Sequence, residues 1–169
     1  MKNIVLTGFM GTGKTTTGKA LAQMLHMKLV DVDEEIESAQ GMTINDIFKT
    51  CGEQHFRDIE TAMIKKLSQE GNLIISTGGG AVLRNENLEA LKEKGIIFCL
   101  NASADTILER TGRSQNRPLL KVEDPKKKIS ELLAYRRPFY EKAGVMIETD
   151  GKSPLMIAEE IVEILKWRK

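Results

Sequence analysis

Cysteine is scarce in this chain. There are two, Cys51 and Cys99, far apart and in no metal-binding spacing. That excludes a disulfide-stapled scaffold and a zinc ribbon, and it reads as reduced structural thiols in a cytosol. An excess of one charge is missing too. The chain has 25 Lys and Arg against 24 Asp and Glu, for a net charge of +1. No bulk field therefore points to nucleic acid or to an acidic membrane surface. No apolar run reaches the length of a membrane span, and the opening Met1-Lys2-Asn3-Ile4 is too short a lead for a signal peptide. The only histidines, His26 and His55, stand isolated and suit packing or the surface rather than metal binding. An Asn-Lys-x-Asp sequence is absent, which disfavours a guanine-reading switch protein. No repeat, linker or low-complexity tract divides the 169 residues, so one soluble domain with a substantial core is expected over 1–169.

What is present is concentrated near the start. Gly8-Phe9-Met10-Gly11-Thr12-Gly13-Lys14-Thr15 has the form G-x-x-x-x-G-K-[ST]. Asn3 to Thr7 before it is apolar and β-branched, a buried strand by pattern, and Thr17, Ala20, Leu21, Met24 and Leu25 after it recur at helical spacing. Strand, glycine loop and helix together are the context that confirms a phosphate-binding P-loop over a turn that binds nothing. Its glycines expose backbone N–H groups to a polyphosphate, with the positive end of the helix dipole behind them. Lys14 is expected to reach the terminal phosphates, and the Thr15 hydroxyl to ligate Mg²⁺.

A second strand, Lys28 to Asp33, ends in Asp31 and Asp33, two apart and so expected on one side of the strand. Carboxylates at the carboxyl end of such a strand sit where ligands bind; alternatively, Asp33 caps a helix starting at Glu34. Thr43 and Asp46 form a capping box for a short helix that Gly52 interrupts. The longer helix beyond it buries Phe56, Ile59, Met63 and Leu67. On it, Arg57 and Glu60 form either a surface ion pair or, at the border of a cleft, an arginine held in place by its glutamate. A third strand, Asn72 to Thr77, runs into Gly78-Gly79-Gly80, which permits close approach to backbone. Ile96 to Leu100 and Val145 to Thr149 supply the fourth and fifth strands.

Between them, residues 111–124 are polar and basic, with Arg113, Arg117 and Lys121, and read as a lid. Asp124-Pro125 opens a helix whose inward stripe includes Arg136, a charge that needs a partner, and Pro138 is expected to kink or end it. Ser153-Pro154 opens the terminal helix.

Strands alternating with helices imply a three-layer α/β/α fold on a parallel sheet, of the P-loop NTPase type. A basic lid beside a P-loop suits a kinase that keeps water from a phosphate in transfer. The remaining polar set, Asp33, Arg57, the triple glycine (Gly79 and Gly80 included) and Arg136, would then bind the acceptor. Arginines read an anionic end and Asp33 a hydroxyl, which describes a small polyhydroxy acid.

The P-loop, Asp31-Val32-Asp33, Phe56-Arg57-Asp58-Ile59-Glu60, Gly78-Gly79-Gly80, Arg117-Pro118-Leu119-Leu120 and Arg136-Arg137-Pro138-Phe139-Tyr140, in that order, closely resemble the shikimate kinase family over essentially the whole chain. The resemblance implies ATP-dependent phosphorylation of the shikimate 3-hydroxyl, in the chorismate route to aromatic amino acids. It implies five parallel strands in order 2-3-1-4-5 and an acceptor-binding helical segment over about 33–62. It assigns shikimate to Asp33, Arg57, Gly79, Gly80 and Arg136. It gives Mg²⁺ to Thr15, with Asp31 helping through water, and the ATP phosphates to Gly11, Thr12, Gly13, Lys14, Thr15, Thr16 and Arg117. Adenine falls between Arg110 and the loop at Ser153. Lys14, Asp33 and Arg117 are the expected catalytic set, in a cytoplasmic monomer. A kinase of gluconate or of a nucleoside monophosphate, and a nucleotide-binding regulator without activity, are the competing readings.

Overall fold

In β1 (Asn3–Gly8), side chains alternate between two cores. Val5 faces one with Ile75 and Ile97; Ile4 and Leu6 face the other with Ile74 and Phe98. That alternation is what a strand covered on both faces requires. The computed structural model describes residues 2–112 and 123–167. It pairs β1 with β3 (Leu73–Ser76) on one side and β4 (Gly95–Asn101) on the other. β2 (Lys28–Asp31) and β5 (Val145–Glu148) lie at the edges. Every pairing is parallel and the order is β2-β3-β1-β4-β5, as the resemblance implies.

One face is covered by α1 (Lys14–Leu25) and α7 (Pro154–Lys166), which pack together. The other carries α2 (Val32–Gln40), α3 (Ile44–Gln69), α4 (Asn85–Lys94) and α6 (Pro125–Ala143), and α5 (Ala104–Thr111) packs on α6. A small third cluster of Phe9, Ala102, Ile107 and Ile129 ties the glycine loop to α5 and α6. Since all strands run one way, their carboxyl ends share one edge, and the order reverses direction around β1. Ligands of such sheets bind in the crevice at that reversal.

Several local expectations hold. Thr43 caps α3, with the Asp46 N–H donating to its hydroxyl at 3.2 Å and that hydroxyl donating to the Asp46 carboxylate at 2.8 Å. Gly52, at φ 83° and ψ 168°, kinks α3 where the interruption is expected. Asp124 caps α6 with Pro125 in its first turn.

Others need correction. Asp31 and Asp33 do not share a strand face. β2 stops at Asp31, the helix begins at Val32 rather than Glu34, and the capping side chain is Asp31, not Asp33. The Asp31 carboxylate accepts from the Asp33 and Glu34 N–H groups at 3.0 and 3.4 Å, which starts the helix earlier than alternation suggests. The buried stripe of α3 holds Phe56, Glu60, Ile64 and Leu67, with Ile59 and Met63 only at its flank. Pro138 does not end α6, which runs on to Ala143 because Tyr140 and Ala143 bury against the sheet beyond it. Thr111, expected to open the lid, is a buried residue of α5 whose hydroxyl donates to the Ile107 carbonyl at 2.6 Å.

Candidate active site

The glycine loop closes on itself before any ligand is considered. Gly8 has φ 140°, and a Cβ there would lie 2.2 Å from the Leu100 carbonyl oxygen, so only glycine lets the chain leave β1 beside β4. The Thr12 hydroxyl, fully buried, donates to the Phe9 carbonyl at 2.8 Å. Gly13, left-handed at φ 94°, is the N-cap of α1 and brings no side chain to cap it. The first-turn N–H groups are thus presented in the way that binds anions. Lys14 folds back so that its ammonium donates to the Gly8 and Phe9 carbonyls at 2.8 and 3.0 Å. The exposed Thr16 hydroxyl donates to the Gly13 carbonyl at 3.0 Å, while Thr15 is exposed beside it. Gly11 is tied to Arg110, whose guanidinium donates to the Gly11 carbonyl at 3.3 Å and to the Thr149 hydroxyl and carbonyl at 3.2 Å each. Arg110 thus bridges the glycine loop to the segment before α7. The Ser153 hydroxyl accepts from the Met156 N–H at 3.2 Å and so caps α7.

Across the crevice, charged side chains converge under the triple glycine. Asp33 is largely buried and its Oδ1 has no hydrogen-bond partner. Burial pushes its carboxyl up to about 6, helped by the Asp31 and Glu60 carboxylates and opposed by Lys14 and Arg57. Lys14 and Arg57 both act on Asp33 electrostatically. Arg57 donates to Glu60 at 2.7 Å; the glutamate side chain is 1% exposed and the arginine 17%. The exposed-ion-pair reading therefore fails, because Glu60 is a buried clamp on Arg57. Burial raises the Glu60 carboxyl above its usual range even against the attraction of Arg57.

At each of the three glycines a side chain would crowd a group of the site. A Cβ on Gly78 would sit 3.2 Å from Glu60 Oε1 and 3.4 Å from Asp33 Oδ1, between the two acids. One on Gly80 would meet the Arg57 guanidinium at 2.6 Å. One on Gly79 would lie 2.9 Å from the Gly8 carbonyl, 3.2 Å from the Tyr140 hydroxyl and 3.3 Å from the Arg136 guanidinium. Arg136 packs over the Phe9 ring at 5.4 Å, with its Nε buried and unpartnered. Lys14, Asp33, Arg57, Gly79, Gly80 and Arg136 thus line one crevice. Arg117 lies outside the described residues, as do Arg113 and Lys121.

Three residues of this crevice carry weak signals in the sequence. Glu60 could be found from its place four residues after Phe56 on a buried stripe. Tyr140 stands four after Arg136 on the same helix face. Gly78 has no signal beyond belonging to the triplet.

Comparisons with known proteins bear on the family. The chain matches the family described as shikimate kinase over residues 10–166. A shikimate kinase of Thermodesulfovibrio yellowstonii is 54% identical over 163 residues, 96% of this chain and 94% of the relative. The solved structure of shikimate kinase from Acinetobacter baumannii in complex with shikimate superposes with a TM-score of 0.94 at 40% identity, covering 100% of this chain and 95% of that one. A gluconokinase from Sinorhizobium meliloti, at 17% identity and a TM-score of 0.59, shares the fold alone. An ordered set of crevice residues, a matching family and close relatives over nearly the full length lead to one conclusion: the chain belongs to the shikimate kinase family.

Proposed function

We propose that this chain transfers the terminal phosphoryl group of ATP to the 3-hydroxyl of shikimate, giving shikimate 3-phosphate and ADP. The observation that carries the reading is the position of Asp33, under the electrostatic influence of both Lys14 and Arg57 and with a free buried oxygen. A carboxyl held near 6 is a fit acceptor for the proton of an alcohol that attacks phosphorus at neutral pH. Asp33 orients the 3-hydroxyl and takes its proton. Arg57, clamped by Glu60, and Arg136 hold the substrate carboxylate through paired charged hydrogen bonds. The Gly79 and Gly80 backbone gives the ring its close approach.

On the donor side, the Gly11 to Thr16 backbone holds the phosphates. Lys14 exchanges its carbonyl partners for phosphate oxygens and offsets charge on the group in transfer. Adenine stacks by the exposed Arg110, and Ser153 contributes as the cap of α7. Positioning of this kind can supply about 7–11 kcal/mol of the barrier.

The donor set suits Mg²⁺. Thr15 presents an exposed hydroxyl, and Asp31 keeps a carboxylate oxygen beyond the one that caps α2. Mg²⁺ typically takes one or two such oxygens and completes its shell with phosphate and water. Among the described residues no cluster of acids, histidines or cysteines could hold a metal unaided. When bound, the ion neutralises charge shared by the last two phosphates. Arg117, outside the described residues, completes the catalytic set. All these residues lie on one chain, which supports a monomeric working unit, here read as cytoplasmic. No helix among the described residues is long and apolar enough to cross a membrane.

The test is ADP release with ATP and Mg²⁺, with and without shikimate, beside gluconate and nucleoside monophosphates as acceptors. Release that depends on shikimate is expected. Release driven equally by another acceptor, or none, would overturn the reading.

A further inference from the structure

Tyr140 is one of only two tyrosines in the chain and is 3% exposed, buried beneath the crevice rather than lining it. Its hydroxyl donates to the Gly79 carbonyl at 2.8 Å. The Arg136 guanidinium, one helical turn earlier on α6, stands beside the same glycine. The tyrosine hydroxyl and an Arg136 nitrogen stand 3.2 and 3.3 Å from where a Gly79 side chain would begin, so both press on one α-carbon.

We propose that Tyr140 is a positioning residue for the acceptor, joining the Gly79–Gly80 peptide and the Arg136 guanidinium into one rigid reading surface. The inference rests on the acceptor assignment above. A peptide group is planar and, among the described residues, trans. Holding the Gly79 carbonyl toward Tyr140 therefore points the Gly80 N–H in the opposite direction within that plane. The Arg136 guanidinium stands at the same glycine, so the tyrosine hydroxyl bounds the space beside it. Burial pushes the phenol up to about 12, so it keeps the proton it donates at any working pH. Its backbone is anchored separately: the Cys99 thiol donates to the Tyr140 carbonyl at 3.2 Å.

Two variants separate positioning from mere packing. Tyr140→Phe keeps the ring and removes the hydroxyl. Cys99→Ala loosens the same residue from its other end and leaves the hydroxyl in place. Steady-state kinetics and thermal midpoints are measured for both. Tyr140→Phe is expected to raise KM for shikimate about three- to tenfold, the scale of one hydrogen bond, with KM for ATP unchanged. Cys99→Ala is expected to lower the midpoint and leave both KM values alone. An unchanged shikimate KM in Tyr140→Phe, an equal rise for both substrates, or an equal shikimate effect in both variants would overturn the proposal.

A measurement on the unaltered protein stands beside the variants should one fail to fold. With tyrosines labelled with ¹³C at Cζ, two resonances are expected, from exposed Tyr135 and buried Tyr140. The Tyr140 signal should shift on adding shikimate and stay put on adding ADP; no shift with shikimate overturns the proposal. If the unaltered enzyme does not phosphorylate shikimate at all, the acceptor assignment fails. If it does and Tyr140→Phe behaves as wild type, only this inference fails.

Discussion

On the nucleotide side of the crevice, one unbroken stretch from Gly8 to Thr15 makes the site with its own backbone. On the acceptor side, Asp33, Arg57, Gly79 and Arg136 arrive from α2, α3, the loop after β3 and α6. The first region presents N–H groups whose direction the chain path determines. The second gathers charges that folding drags out of water, and each charge then needs a neighbour: Glu60 on Arg57, Phe9 under Arg136. The first therefore has few ways to fail other than loss of its lysine. The second can fail at any of its supports, and failure there should show in the acceptor alone.

Lys14→Ala tests the first half of that contrast and has the largest expected effect. Losing a cation aimed at charge in transfer should lower kcat by about 10²–10³-fold. The thermal midpoint should stay close to wild type, since Lys14 is only half-buried and its listeners are backbone carbonyls. Turnover near wild type in a folded Lys14→Ala protein would break the assignment. Arg57→Ala and Arg136→Ala test the second half. Each should weaken shikimate binding about ten- to hundredfold, the scale of a hydrogen bond to a charged group, and spare ATP. Calorimetric titration with both ligands checks this; equal losses for both would mean that the two sides are not separable.

The same contrast explains what could be read from the sequence. The P-loop was legible because its spacing is itself its structure. The five strands were legible because Ile4, Val5 and Leu6, or Ile96 to Leu100, are apolar and rich in β-branched residues over strand length. Arg136 was visible as a charge on an inward stripe, but nothing local said that Phe9 and Tyr140 would receive it. Asp31 and Asp33 were misplaced for a related reason. Alternation assumed that the strand continued, whereas capping by Asp31 turns the chain into helix at once. The triple glycine was a weak signal because what excludes side chains there comes from distant residues. Gly80→Ala sharpens this point with a smaller effect than the arginine deletions. Its Cβ would fall 2.6 Å from the Arg57 guanidinium, the movable end of a side chain. The arginine should shift rather than the fold break, raising KM for shikimate several-fold, about 1 kcal/mol. An unchanged KM would show that Arg57 reads the acceptor from another position.

The last effect concerns stability, and it runs opposite to activity. In the unfolded chain Asp33 ionises near its ordinary 3.8; in the folded chain burial moves it to about 6. Below about pH 4 both forms are protonated, and the acid does not oppose folding. As pH rises through 6, the folded protein must ionise a buried carboxyl that the unfolded one ionises freely, so stability present in acid is lost. The displacement corresponds to at most about 3 kcal/mol. Asp33→Asn removes the ionisation. At pH 7.5 the variant should melt several degrees above wild type, at about 2–4 °C per kcal/mol, while losing phosphoryl transfer. Towards pH 4 the gain should shrink to nothing. Scanning calorimetry from pH 4 to 8, in EDTA so that no cation binds near Asp31, measures it. A gain equal at both ends would mean that the amide simply packs better. A loss at pH 7.5 would mean that Lys14 and Arg57 hold the ionised acid more firmly than burial opposes it, and the acceptor side would then be as well compensated as the phosphate loop.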